Sequence, residues 1–162
     1  MLVPAITLKP QLDEKFAQDI YSERYFYYTG SAFAFELPNI RAQDNYYQWA
    51  IVSDKQSTNP LGYLAYYIDT LTDTVCRFGL YSFDEGNLLV PKDTFEKLNE
   101  LCENHHRIEW RIIGGNHAKR GYDSFCKQHH GNIVCLHDVL KDPKGNYRDE
   151  YIYEIIRWTD LS

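Results

Sequence analysis

The chain has 162 residues, 44% hydrophobic and 25% charged, enough for the core of one domain and a composition that disfavours disorder and coiled coil. Its 17 basic against 23 acidic residues give a net charge of −6, with no Lys/Arg run longer than Lys119-Arg120, so a nucleic-acid surface, which needs a basic stripe, is disfavoured. No segment has the length of a membrane span, Met1-Leu2-Val3-Pro4 lacks the basic opening of an export signal, and Cys76, Cys102, Cys126 and Cys135 have no framework spacing, so reduced thiols and a cytoplasmic location are expected.

In chain order, Val3 to Leu8 is a short β-prone run ended by Pro10, and Asp13 to Tyr28 carries Phe16, Ile20, Arg24 and Tyr27 at helical spacing, closing near Gly30. Ser31 to Leu37 is expected to form a second short helix. Gln48 to Ser53 and Leu61 to Asp69 alternate as strands around the turn Ser57-Thr58-Asn59-Pro60, and Thr74 to Phe83 continues the pattern. Short links between these three strands predict an antiparallel meander, because parallel neighbours need a crossover of a dozen residues or more. Pro91 to Glu103 is a helix with Pro91 in its first turn, followed by a strand from Arg107 to Ile113, which predicts a parallel pair across that helix. The Gly114-Gly115-Asn116 break leads to a helix from His117 to His129, and two antiparallel strands, Ile133 to Leu140 and Tyr151 to Trp158, flank the turn Asp142-Pro143-Lys144-Gly145-Asn146. The order β, α, α, β, β, β, α, β, α, β, β predicts a single α/β (α+β) domain over residues 1–162, a mixed, mostly antiparallel sheet with helices on both faces.

That order, together with two stretches of sequence, resembles the GNAT superfamily of N-acetyltransferases over about Gln48 to Ile156. The run Trp49-Ala50-Ile51-Val52, a turn, then Pro60-Leu61-Gly62-Tyr63-Leu64-Ala65-Tyr66-Tyr67 is similar to the family's second and third strands. Asn116-His117-Ala118-Lys119-Arg120-Gly121-Tyr122, after a strand and opening a helix, looks like the segment in which the family places a coenzyme A-contacting Asn and a Tyr that protonates the departing thiolate. Ala118 and Tyr122 keep the family's four-residue step; Asn116 stands one residue closer to the Ala than is usual. The resemblance implies acetyl-CoA as co-substrate and a small-molecule or protein amine as acceptor, with Tyr122 as general acid and Asn116 as a cofactor contact. A phenol of pKa about 10 can give a proton to a thiolate and regain it from water. Equally open on the residues alone, Tyr122 and Phe125 pack on the sheet and Asn116 caps the helix.

In the family a glycine-rich loop after the fourth strand cradles the diphosphate of coenzyme A with backbone N–H groups at a helix start. Here the stretch is Ser82-Phe83-Asp84-Glu85-Gly86-Asn87-Leu88-Leu89-Val90-Pro91, with one glycine, two adjacent acids and a proline that removes a donor. The resemblance implies a cofactor-binding strand end at Leu80, Tyr81 and Ser82, with a backbone amide as oxyanion donor, and a reshaped loop at Gly86 and Asn87. Glu36, Asp84 and Glu85 are candidate bases and Tyr81 an alternative proton relay, with nothing in the spacing to select among them.

Two further readings bear on function. Cys102-x-x-His105 and Cys126-x-x-His129, near His106, His130 and Cys135, have permissive zinc spacing, but both fall at helix ends without a Cys-x-x-Cys anchor, and no metal is expected. The altered loop also allows a catalytically inactive member of the fold that binds a protein partner or dimerises through aromatics of Tyr21 to Tyr28 and Tyr46-Tyr47.

Overall fold

The computed structural model describes residues 1–29 and 37–157. Within them lie β1 (Leu2–Pro4), a 3-10 turn (Ala5–Leu8), α1 (Lys9–Asp19), α2 (Glu23–Thr29), β2 (Tyr46–Ile51), β3 (Gly62–Asp69), β4 (Thr74–Ser82), α3 (Leu89–Asn104), β5 (Arg107–Ile113), α4 (Lys119–Gln128), β6 (Asn132–Lys141) and β7 (Tyr147–Ile156). The seven strands form one sheet in the order β1-β2-β3-β4-β5-β7-β6, antiparallel everywhere except between β4 and β5. The meander, the parallel pair across α3 and the antiparallel final pair are as the sequence predicts.

The first elements differ from expectation. The strand stops at Pro4, whose fixed φ of −54° leads into the 3-10 turn, and Pro10 starts α1 instead of ending a strand, because a helix's first turn has no use for the N–H that proline lacks. The single helix expected over Asp13 to Tyr28 is two: α1 ends at Asp19, whose carbonyl accepts the Ser22 N–H at 2.8 Å, and Ser22 in turn accepts the Tyr25 N–H at 3.2 Å. The break lets α1 bury Leu12 and Phe16 while α2 buries Tyr25 from a new direction. Of the short helix expected over Ser31 to Leu37, residues 30–36 lie outside the described residues. β7 begins four residues earlier than predicted, at Tyr147, since pairing with β6 runs down to Lys141↔Tyr147; Trp158 also lies outside the described residues.

Strand alternation sends the core to both sides of the sheet. On one face Leu64, Phe78, Trp110 and Tyr153 meet Leu98 and Leu101 of α3 and Tyr122 and Phe125 of α4. On the other, Tyr63, Ala65 and Tyr81 meet Leu12 and Phe16 of α1 and Tyr25 of α2. Each large apolar side chain removed from water contributes roughly 1.5–3 kcal/mol, so two such clusters fix the layer order of helix, sheet, helix.

One irregularity positions the site. Between Val75 and Phe78, β4 advances three residues while β5 advances two, and between Gly79 and Cys76 it spends three against two on β3. The extra residue falls at Arg77, which takes φ 54°. A bulge of this kind bends its strand and raises the local twist. Beyond it, pairing with β5 ends at Phe78↔Trp110, whereas pairing with β3 runs on to Ser82↔Gly62. The ends of β4 and β5 therefore splay apart.

Candidate functional site

The splay opens a cleft of about 730 Å³. One wall is Leu80, Tyr81 and Ser82 of β4; the other is Gly115, Asn116, His117 and Ala118, which follow β5; Glu85 to Leu88 with Val90 and Pro91 close one end. Helix α2 lies across the gap and adds Glu23, Arg24, Tyr27 and Tyr28. It is fastened to both walls. Arg24 Nη2 donates to the Ser82 carbonyl, and Asn116 Nδ2 donates to the Tyr27 carbonyl at 3.3 Å. Gly115, at φ 101°, is needed here, because a Cβ would stand 3.2 Å from the Tyr27 hydroxyl oxygen and 3.1 Å from its ring.

Six residues expected at the donor site, Leu80, Tyr81, Ser82, Gly86, Asn87 and Asn116, are brought together on this cleft. Asn116 also closes a local turn just ahead of α4, its Oδ1 accepting the Ala118 N–H at 2.8 Å, while the N-cap position itself falls to Ala118 with no side-chain cap, so the capping role open to Asn116 in the sequence is not taken. The Tyr81 hydroxyl donates to Asp19 Oδ2 at 2.6 Å, and burial together with that carboxylate holds its pKa above the usual phenol value, so its proton is already committed. Glu85 lines the cleft and pairs with Arg24 Nε at 3.2 Å. Asp84 instead braces the turn, accepting Asn87 Nδ2 at 2.8 Å through its carboxylate and the Asn87 N–H at 3.2 Å through its carbonyl. Glu36 lies outside the described residues.

Tyr122 corrects the sequence reading. It lies outside the cleft, only 3% exposed, with ring centroids of Phe95, Trp110 and Tyr153 at 5.8, 5.6 and 5.9 Å. The apolar stripe of α4 is Tyr122, Phe125 and Cys126, and a helix that must bury that stripe on the sheet turns the phenol inward. Burial pushes its pKa up, which makes it a poorer acid as well as an inaccessible one. Besides Tyr81, whose proton is committed to Asp19, the phenols lining the cleft are Tyr27 and Tyr28. Burial of the Tyr28 hydroxyl, with Tyr46 and Tyr25 beside it, raises its pKa, and its ring covers Gly79 at the point where the strands part.

The helix start at the closed end does not fit a diphosphate as it stands. The Leu89 N–H is taken by Asn87 Oδ1 at 3.0 Å, the Val90 N–H by the Asn87 carbonyl at 3.4 Å, Pro91 has none, and the Lys92 N–H goes to the Leu88 carbonyl at 3.3 Å. The free edge of β4 does fit an extended amide chain, since the strand keeps its geometry there without pairing to β5.

The two Cys/His clusters do not assemble. His105 Nδ1 is 2.8 Å from Asp73 Oδ1, the His129 ring lies tilted against Phe125 with centroids 4.3 Å apart, and burial drives the Cys102 thiol up to about 12. Among the described residues the four cysteines are free, and no helix is long and apolar enough to cross a membrane.

No protein-family model matches this chain. Its architecture does match solved structures. An N-acetyltransferase from Staphylococcus aureus superposes with a TM-score of 0.64 at 13% identity, over 96% of this chain and 97% of that one. A probable acetyltransferase of the GNAT family from Chromobacterium violaceum gives 0.60 at 16% identity, over 96% and 81%. A GNAT-family acetyltransferase from Streptococcus pneumoniae gives 0.52 at 11% identity, over 72% and 70%. The chain has the GNAT acetyltransferase fold.

Within that GNAT fold, sequence reasoning missed the contribution of α2. Arg24 and Tyr27 stood out only as members of a helical stripe, and nothing local announced that the stripe would break at Asp19 and swing its second half across the cleft. The signal that could have been used is the polar pair Ser22-Glu23, which reads as a helix start in the middle of the run.

Proposed function

We propose that this cleft transfers an acyl group from a thioester to an amine. The observation that carries the reading is the splay of β4 from β5 at Phe78, which exposes the backbone of Leu80 to Ser82 along an open cavity. A thioester's amide-bearing arm would add to the β4 edge, and a β4 N–H would donate to the thioester oxygen as it gains charge during attack by the neutral amine. Collapse then breaks the C–S bond, the amine's proton leaves to a base or water, and the thiolate takes a proton. With Tyr122 in the core, the donor role passes to the α2 phenols, Tyr27 foremost because it stands against the Asn116 turn. The net charge of −6 suits a cationic acceptor, while within the cleft Glu85 is paired with Arg24 and Glu23 with Lys144.

Acetyl-CoA is the donor this reading names, held chiefly by its arm and weakly by its diphosphate. The internally bonded start of α3 and the acids Asp84 and Glu85 favour a second reading, a cleft that binds a partner without acyl transfer. Calorimetric titration with acetyl-CoA, with desulfo-CoA as control, separates the two. Saturable binding weakened by Asn116→Ala, followed by acylation of one member of an amine series graded from neutral to polycationic, supports the enzyme. Absence of binding up to millimolar ligand, a free energy of only about −4 kcal/mol, supports the binding module.

A further inference from the structure

We propose that Cys135, His137 and Asp149 form a binding site for one divalent transition-metal ion, with zinc the best match to the donor set. The three residues belong to no part of the acyl-transfer cleft. Cys135 and His137 stand two apart on β6 and so face the same side, and Asp149 lies on β7 next to Glu150, which pairs with Leu136. The register between these strands shifts after Leu136 and resumes at Leu140, and within the shift Asp138 takes φ 54°. That bulge points the Asp138 N–H at Asp149 Oδ1, 3.0 Å away, which fixes the carboxylate and leaves Oδ2 directed at the other two groups.

The spacing of the three donor atoms is the decisive observation. Cys135 Sγ is 3.7 Å from His137 Nδ1 and 3.7 Å from Asp149 Oδ2, and His137 Nδ1 is 3.4 Å from Asp149 Oδ2. A His–carboxylate hydrogen bond left to itself would close to about 2.7–3.2 Å, so this triangle is wider than the pair requires. Around a tetrahedral zinc, bonds of about 2.3 Å to sulfur and about 2.0–2.1 Å to nitrogen and oxygen place the ligand atoms about 3.6 Å apart for the sulfur edges and about 3.3 Å for the nitrogen–oxygen edge. The observed triangle matches that face to within about 0.1–0.2 Å, a tolerance ordinary for such sites.

The chemistry selects the ion class. One thiolate, one imidazole and one carboxylate suit zinc and its neighbours, whereas calcium and magnesium need six or more oxygen ligands or several retained waters. The Asp138 amide supplies the outer contact that orients the carboxylate. The His137 side chain is 80% exposed, so an ion has an entry path and its fourth position faces solvent. The Asp149 carbonyl also accepts the Gly114 N–H at 2.7 Å, two residues before Asn116. An ion here would therefore brace the wall of the cleft from behind.

The test uses the full chain, reduced and with any affinity tag removed. Titration with zinc chloride by calorimetry is expected to show one ion per chain. Cys135→Ser, His137→Ala and Asp149→Asn are each expected to lose at least about tenfold in affinity, while Cys102→Ser binds as the parent does. With cobalt(II) in place of zinc, a thiolate-to-metal charge-transfer band should appear and be missing in Cys135→Ser. Zinc should raise the Tm of the parent and leave that of the three variants where it was, their metal-free Tm values showing that they fold. Absence of zinc uptake, or uptake that Cys135→Ser leaves unchanged, overturns the proposal. Acyl transfer enters none of these readouts, so the site stands or falls apart from the enzyme reading.

Discussion

Tyr27 and Tyr122 are both phenols, and what separates them is the surface each helix must bury. The proposed roles predict that Tyr27→Phe lowers kcat for acyl transfer by about 10²-fold or more with little change in KM, while Tyr122→Phe leaves the pH–rate profile unchanged; kinetics of the two variants side by side check this. A second residue-scale expectation concerns Gly131, where an added Cβ would lie 2.5 Å from Cys126 Sγ and 2.6 Å from the Glu154 carbonyl oxygen. Gly131→Ala should cost about 1–3 kcal/mol, read as a lower denaturation midpoint with an unchanged m-value. Arg77 is the third case. Its φ of 54° is open to Gly or Asn but strained for a β-branched side chain, so Arg77→Val should destabilise by about 1–3 kcal/mol and Arg77→Gly by much less.

At the scale of elements, the cleft exists because one strand carries an extra residue and one helix crosses the gap that results. Arg24 holds that helix through the Ser82 carbonyl, Glu85 and, at 3.7 Å, Asp19. Arg24→Ala removes all three ties while α2 keeps its buried Tyr25, so the helix should stay attached but open more often. The expected result is faster amide exchange confined to residues 23–28 and at least about fivefold weaker binding of acetyl-CoA, the donor proposed above, with global stability changed by less than about 1.5 kcal/mol. This scale is also where the sequence was least legible. The Arg107 to Ile113 strand follows directly from an apolar alternation bounded by a helix and a Gly-Gly break, and its limits agree with β5 residue for residue. The break between α1 and α2 does not follow, because the stripe of Phe16, Ile20, Arg24 and Tyr27 is periodic straight through it, and only competition between two burial directions ends the helix.

Across the whole molecule, charge is managed by cross-strand pairs. Arg107 on β5 binds Glu109 on its own strand and Glu154 on β7, the latter at 2.6 Å. The Arg107 side chain, aided by Asn132, holds the Glu154 carboxyl below the usual glutamate value. A folded pKa that is depressed contributes stability above the unfolded value, about 4.3–4.5, and loses it as pH falls through the folded value. Glu154→Gln should therefore have the lower Tm near neutral pH, and the two proteins should converge well below about pH 4; thermal melts across that range check it. Both partners are nearly a third exposed, so high salt should shrink the difference.

The order of elements from β2 onward, the antiparallel meander, the parallel pair across α3 and the helices on both faces of the sheet follow from the sequence alone, because periodicity and turn residues are local signals that packing merely obeys. The sequence also brought out Leu80 to Ser82, Gly86, Asn87 and Asn116, which do converge on one cleft. Packing, not local sequence, makes Tyr122 core, lays α2 over the cleft and brings Cys135 and His137 against Asp149 from another strand. Each of these depends on which side of an element faces the sheet or on which residue a bulge sets opposite its partner. Contacts between residues distant in sequence fix both.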